Sequence, residues 1–494
     1  MPTSPDPAPR PQAGWSFDNS YARLPETFHT RVRPTPVAQP RLVLFNRPLA
    51  QALGIDPKAF DGPEAAALFT GNRILSGAEP IAQAYAGHQF GNLTRLGDGR
   101  AILLGEHRTP SGDRFDIQLK GAGPTPYSRG GDGRAGLGPM LREYLISEAM
   151  HALGIPTTRS LAVAGTGEPV LREQPLPGAV LTRVAASHIR VGTFEYFAAL
   201  GDTEALRVLA DHTLRRHFPD RVACGSPALG LLEEVMERQT SLMAHWMRVG
   251  FVHGVMNTDN MALSGETLDY GPCAFLDTYD PATVFSSIDH QGRYAFGQQP
   301  HIAAWNLARL AEALLPILHP EPEAALARAE AAIESFSERF HRHWLAALRA
   351  KLGLFSEETE DPSLIDELLR AMHQARADYT YTFRNLRPQA IPEPTSAAEA
   401  AFATWHRRWT ERLARQPQPW TEVARLMNAH NPAVIPRNHA VEAALAAATA
   451  GNDLAPLERL QAALASPYDD ADQSATLQNP PPFGTPICRT FCGT

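Results

Sequence analysis

Two acidic side chains and an amide stand close together in HGVMNTDNMALSGETLDYG, residues 253–271: Asp259, Asn260 and Asp269. An amide oxygen with a carboxylate suits a hard divalent cation, and a second carboxylate beside them suits a base for a hydroxyl nucleophile. If NMAL and TLDY pair as an antiparallel hairpin around Ser264-Gly265-Glu266, Asn260 and Asp269 meet at its open end. Asp259 and Asn260 are equally the residue types that close turns through local hydrogen bonds, so the local string leaves both readings open. A second position stands out by rarity. Of 45 basic residues only Lys58, Lys120 and Lys351 are lysine, which makes Lys120 a candidate for a role that the planar guanidinium of arginine does not fill.

The elements that must position these residues follow from periodicity. Lys120 ends FDIQLK, a strand in which Phe115, Ile117 and Leu119 face one way and Asp116, Gln118 and Lys120 the other. Before it, RLGDGRAILLGEH reads as a β-hairpin turning at Asp98-Gly99. After it come a glycine-rich stretch, 121–138, whose backbone can approach a ligand closely, and a helix from near Pro139 to near Gly154. Leu141, Leu145, Ala149 and Ala152 form the apolar stripe of that helix, and strands near 161–164 and 179–184 complete a small sheet. Beyond about residue 193 the pattern is helical. Leu232, Val235, Leu242, Trp246 and Val249 recur as one core stripe, and Ile333, Phe336, Phe340 and Leu348 as another. His341 and His343 are two apart on a helix and face different ways, which argues against a shared metal.

Composition narrows the classes. The 494 residues are 44% hydrophobic and 20% charged, the balance of a folded globular protein. No charge-free apolar run is long enough for a membrane helix, and a net charge of −8 argues against nucleic acid as the main partner. Cys224, Cys273, Cys488 and Cys492 are too few for a disulfide scaffold and match no zinc motif. The proline-rich start lacks an apolar signal core, so the expected compartment is the cytoplasm.

Chain order adds what no single motif carries: a glycine turn, a strand ending in lysine, a helix bearing acids, a helical region, His-Gly with Asn following, then Asp-Tyr-Gly. This is the order of the protein-kinase site. One departure matters. The kinase aspartate directly follows the His-Arg or His-Gly pair, whereas Val255 follows His253-Gly254 here.

The strings GDGRAILLGE, FDIQLKGAGPTPYSR, GDGRAGLGPMLREYLISEAM, HGVMNTDNM, DYGPCAFLD and DHQGRYAFGQQP, in this order over almost the whole chain, resemble the selenoprotein O family. The resemblance implies an α+β, protein-kinase-like fold with a small β-rich N-lobe, one key helix and a large, mainly helical C-lobe. Residues 1–75, with prolines, short apolar runs and no clear period, read as an extended arm, followed by the N-lobe over 76–190, the C-lobe over 191–475 and a flexible tail over 476–494. The resemblance also implies AMP transfer from ATP, bound in reverse of the kinase manner, to Ser, Thr or Tyr hydroxyls of protein partners, with Mg²⁺ or Mn²⁺.

Carried over residue by residue, Gly97, Gly99, Arg100, Asp132 and Gly133 would contact the nucleotide. Lys120 would bind phosphate and pair with a helix glutamate, Glu143 before Glu148, because Glu148 lies nearer the apolar stripe. Arg183 and Arg190 would hold phosphates, Asn260 and Asp269 the metal, and Asp259 would be the base. Cys488 or Cys492 would carry a redox role, with Cys273 the nearest partner in sequence, or be inert exposed thiols. UMP transfer with Mn²⁺, conventional phosphoryl transfer with Asp259 as a displaced base, and a silent nucleotide-binding scaffold are the alternatives.

Overall fold

Antiparallel strands rich in alternating apolar residues build the part of the molecule that carries Lys120. The computed structural model describes residues 13–222, 226–389, 396–470, 475–482, 484, 485, 489 and 490. In chain order the strands are β1 (His29–Arg31), β2 (Arg41–Phe45), β3 (Ile81–Gln83), β4 (Ala86–Gln89), β5 (Asn92–Arg95), β6 (Ala101–Arg108), β7 (Arg114–Lys120), β8 (Ala135–Gly136), β9 (Arg159–Leu171) and β10 (Pro175–Ala185). Eight of them form one sheet in the order β1-β3-β6-β7-β10-β9-β2, with β8 paired to β10, while β4 and β5 form a separate hairpin.

Each face of the sheet is covered. On one side Ile102, Leu104, Ile117, Leu119, Val180 and Val184 pack with Trp15, Leu49, Phe60 and Phe69 from helices α1 (Arg47–Ala52) and α2 (Pro63–Phe69) and their surroundings. On the other, Leu103, Val163 and Leu181 join the main core with Leu141, Leu145 and Ala149 of α3 (Leu137–Ala152). Burial on both faces explains why Asp116, Gln118 and Lys120 are themselves buried: Lys120 meets Glu143 of α3, Gln118 meets Arg183, and Asp116 meets His188 and Arg216. The remainder is largely helical, beginning with α4 (Val191–Ala199), α5 (Thr203–His217), α6 (Pro227–Arg248) and α7 (Gln299–Leu318). The stripe Leu232, Val235, Leu242, Trp246 and Val249 is buried as its period requires.

Three expectations are corrected. The apolar stretches flanking Asp98-Gly99 are not one hairpin: β5 turns back on β4, and β6 pairs with β7 and β3. Asp98 instead turns inward and accepts the Gln83 backbone N–H at 3.0 Å, which pins the connecting loop to β3. NMAL and TLDY share only the Met261–Thr267 bridge. Their other backbone groups bond outward, Leu263 to Ile189 and Thr267 to Pro156, because a partner strand on each outer side satisfies the ladder better than a tight turn does. The stretch expected as an arm contributes β1 and β2 to the two edges of the main sheet, so much of it belongs to the fold itself.

Among the described residues no helix is long and apolar enough to cross a membrane. Cys224, Cys488 and Cys492 lie outside the described residues. Cys273 is buried, and Thr490 donates its hydroxyl hydrogen to the carbonyl of Pro272 at 2.7 Å, so part of the tail rests on that segment.

Candidate active site

The register of β7 against β10 sets Leu181 opposite Lys120 and Arg183 opposite Gln118. Lys120 and Arg183 are therefore diagonal neighbours on the sheet face that α3 covers. Glu143 projects from α3 between them. Its Oε2 accepts from Lys120 Nζ at 2.7 Å and its Oε1 from Arg183 Nε at 2.5 Å. Glu148, the alternative partner, is committed elsewhere, to Arg159, Asn46 and the Ser160 backbone. Burial pushes the Glu143 carboxyl up, but Arg183 and Lys120 outweigh it and hold the group ionised below its ordinary range.

Asp269 closes the cluster from the helical side. Lys120 Nζ donates to it at 2.8 Å, Arg183 Nη2 donates to the same oxygen, and Arg190 Nη1 donates to Oδ2 at 3.2 Å. Burial works against its charge, and Arg183, Lys120 and Arg190 together hold its carboxyl well below the carboxylate range. Its backbone sits at φ +64°, a left-handed conformation uncommon outside glycine that aspartate tolerates.

Arg190 links this cluster to the segment 258–260. The same Nη1 donates to the backbone carbonyl of Asp259 at 2.8 Å. Its guanidinium lies 4.5 Å from the Tyr85 ring centre and 3.8 Å from the buried Asp98 carboxylate. The Asp259 side chain is buried, and its Oδ1 has no hydrogen-bond partner. Burial, opposed by Arg190 and helped by Asp269, pushes its carboxyl up to about 6. Asp98 is raised likewise to about 6 by burial, with Arg190 opposing.

Arg100 lies beside this cluster: Gly121 N–H donates to its carbonyl at 2.7 Å, and it shares a 410 Å³ cavity with Lys120, Glu143 and Gly271. Gly97, at φ +103°, leaves no room for a β-carbon against the Tyr127 ring, so the two glycine loops pack directly on each other. Asp132 is not brought into the cluster. It is exposed and forms an ion pair with Arg172 at 2.8 Å, and Gly133 at φ +64° turns the chain tightly against Gly123. Asn260 donates its amide to the Val255 carbonyl at 3.0 Å, and among the described residues no hydrogen bond joins it to Asp269.

A family model described as Protein adenylyltransferase SelO matches residues 11–465. The chain belongs to the SelO family. It is 58% identical to the Protein nucleotidyltransferase YdiU of Syntrophotalea carbinolica, over 97% of this chain and 98% of the relative. The protein of the same name from Geobacillus kaustophilus is 59% identical, over 98% of this chain and 100% of the relative. That of Bacillus cytotoxicus is 58% identical over 98% and 99%. Membership makes the chain an enzyme of the nucleotidyltransferase class.

In this SelO-family chain Asp98, Tyr85 and Gln118 also touch the arginines of the cluster, although no motif singles them out. Asp98 sits inside the Gly97-Asp98-Gly99 turn. Gln118, whose Oε1 accepts from Arg183 at 3.3 Å, shares the Lys120 face of β7. Tyr85 carries no sequence signal, because its place beneath Arg190 is a purely tertiary fact.

Proposed function

We propose that the chain transfers AMP from ATP to Ser, Thr or Tyr hydroxyls of proteins and releases pyrophosphate, on a kinase-like scaffold with the nucleotide reversed. The observation that carries this reading is the convergence of Lys120, Arg183 and Arg190 on Asp269, with the unbonded, proton-avid oxygen of Asp259 one arginine away. A substrate hydroxyl oxygen attacks the α-phosphorus, the bond from that phosphorus to the bridging oxygen breaks, and the hydroxyl proton passes to Asp259. Lys120, Arg183 and Arg190 are fixed, buried cations that neutralise charge on the departing pyrophosphate without reorganising. Arg100, with Gly97 and Gly99 and, from the exposed loop, Asp132 and Gly133, contacts the nucleotide.

The donor chemistry fits a hard cation. Asn260 offers an amide oxygen and Asp269 a carboxylate, and among the described residues no cluster of three or more His, Cys, Asp or Glu competes for it. Two protein oxygens with phosphate oxygens and water are the coordination that Mg²⁺ favours, and Mn²⁺ accepts it too. When bound, such an ion screens the phosphates and polarises the phosphorus centre.

ATP labelled on the α-phosphate and, in parallel, on the γ-phosphate tests the reading, with D259A and D269A as controls. Protein-bound α-label that both substitutions abolish is the expected result. Transfer of γ-label alone makes the chain a kinase, greater transfer from α-labelled UTP with Mn²⁺ makes it a uridylyltransferase, and no label on protein counts against AMP transfer and for the scaffold reading.

A further inference from the structure

Asp259 Oδ1 has no hydrogen-bond partner, so no hydrogen bond to this oxygen fixes where it stands. Its position is set through the backbone. Arg190 holds its carbonyl, and the residue before it, Thr258, is wholly buried with both roles of its hydroxyl in use. Thr258 Oγ1 donates to Glu195 Oε2 and accepts the His88 backbone N–H at 2.7 Å. The other Glu195 oxygen meets His88 Nδ1 at 2.5 Å. Glu195 comes from α4, His88 from β4 and Thr258 from the short turn 258–260, so one carboxylate ties three separate elements together. Two glycines let those elements approach: a β-carbon on Gly87 would overlap the Asp259 carboxylate, and one on Gly192 would overlap the Ala86 carbonyl.

We infer that Glu195, acting through the Thr258 hydroxyl and His88, is a positioning residue that holds Asp259 at its working place beside the Arg190 and Asp269 cluster. The inference rests on the transfer chemistry proposed above. Glu195 touches no reacting atom; it locks the turn whose next residue carries the base. A shift of about 1 Å in such a group costs up to about a hundredfold in rate, whereas nucleotide contacts made by other elements stay intact.

The test compares T258V, T258S, E195A, E195Q and the double variant T258V/E195A in α-label transfer, with kcat, the KM for ATP and the thermal midpoint all measured. Expected are kcat losses of about tenfold or more in T258V and E195A with the KM for ATP changed less than about threefold, and recovery in T258S. The double variant is expected to be no worse than either single one, because both cut the same link. E195Q keeps the volume and one acceptor oxygen, so it retains the wild-type thermal midpoint and loses kcat severalfold; it carries the test if T258V does not fold. Wild-type kcat in T258V or E195Q, T258S as poor as T258V, additive losses, or a KM rise matching the fall in kcat overturns the inference. Wild-type transfer of γ-label moves the same comparison to that label. If the wild type transfers neither label, the transferase reading fails, and this inference falls with it.

Discussion

Lys120 and Arg183, diagonal neighbours across β7 and β10, share both of their carboxylate partners, Glu143 and Asp269. Two cations that would repel each other on an open sheet are locked side by side by one carboxylate from α3 and one from the helical region. The pairing keeps two buried positive charges side by side.

Removing Glu143 therefore leaves two buried cations with a single shared partner. E143A is expected to cost about 3 kcal/mol of stability, because a buried charge that loses its partner retains its desolvation penalty. Urea denaturation at neutral pH reads the loss directly. E143Q, which keeps hydrogen-bond acceptance by its amide oxygen, is expected to lose less.

Asp269 is expected to oppose nucleotide binding when no metal is present, since it occupies the three cations that phosphate needs. In chelator, D269N should bind ATP about tenfold more tightly than the wild type, as three cations are freed of one neutralising charge. With metal restored, transfer should fall by about a hundredfold, because the carboxylate proposed to hold the metal is gone. Calorimetric titration in chelator and the α-label assay measure the two halves, and weaker ATP binding by D269N in chelator would refute the account.

Gly87 lies so close to the Asp259 carboxylate that a methyl group there must displace it. G87A should reduce transfer by about a hundredfold while leaving nucleotide affinity within about threefold, since the displaced group is the proposed base and not a proposed phosphate ligand. Equal losses in affinity and turnover would show that the hairpin β4–β5 supports the nucleotide as well.

Glu266 gives a pH dependence with a definite sign. Burial pushes its carboxyl up to about 7, with the Ser264 hydroxyl and the Ala186 N–H opposing. A carboxyl whose pKa is raised on folding stabilises the fold while protonated, and that contribution is lost as pH rises from about 4.5 through about 7. E266Q stays neutral at every pH. Its stability should match the wild type near pH 5 and exceed it near pH 8 by about 2 kcal/mol, allowing for solvent screening of a half-buried group. Thermal midpoints at the two pH values decide it.

The sequence by itself determined which side chains could do chemistry and which faces they occupy. Alternation in FDIQLK puts Lys120 opposite Ile117 and Leu119, and the α3 stripe separates Glu143 from Glu148, because residue type and period within one element are local properties. Motif order and resemblance also marked Arg183, Arg190, Asp259 and Asp269 without any knowledge of distance.

Only the tertiary structure decided what those residues touch. Hydrogen bonds between Thr258, Glu195 and His88 span 63 and 170 residues of chain, and no periodicity encodes a contact of that range. The same holds for Asp98 turning inward to β3 and for NMAL and TLDY parting to join different neighbours. Turn signals report which local pairing is available, but backbone groups take whichever partner the whole fold delivers, and burial makes that choice obligatory.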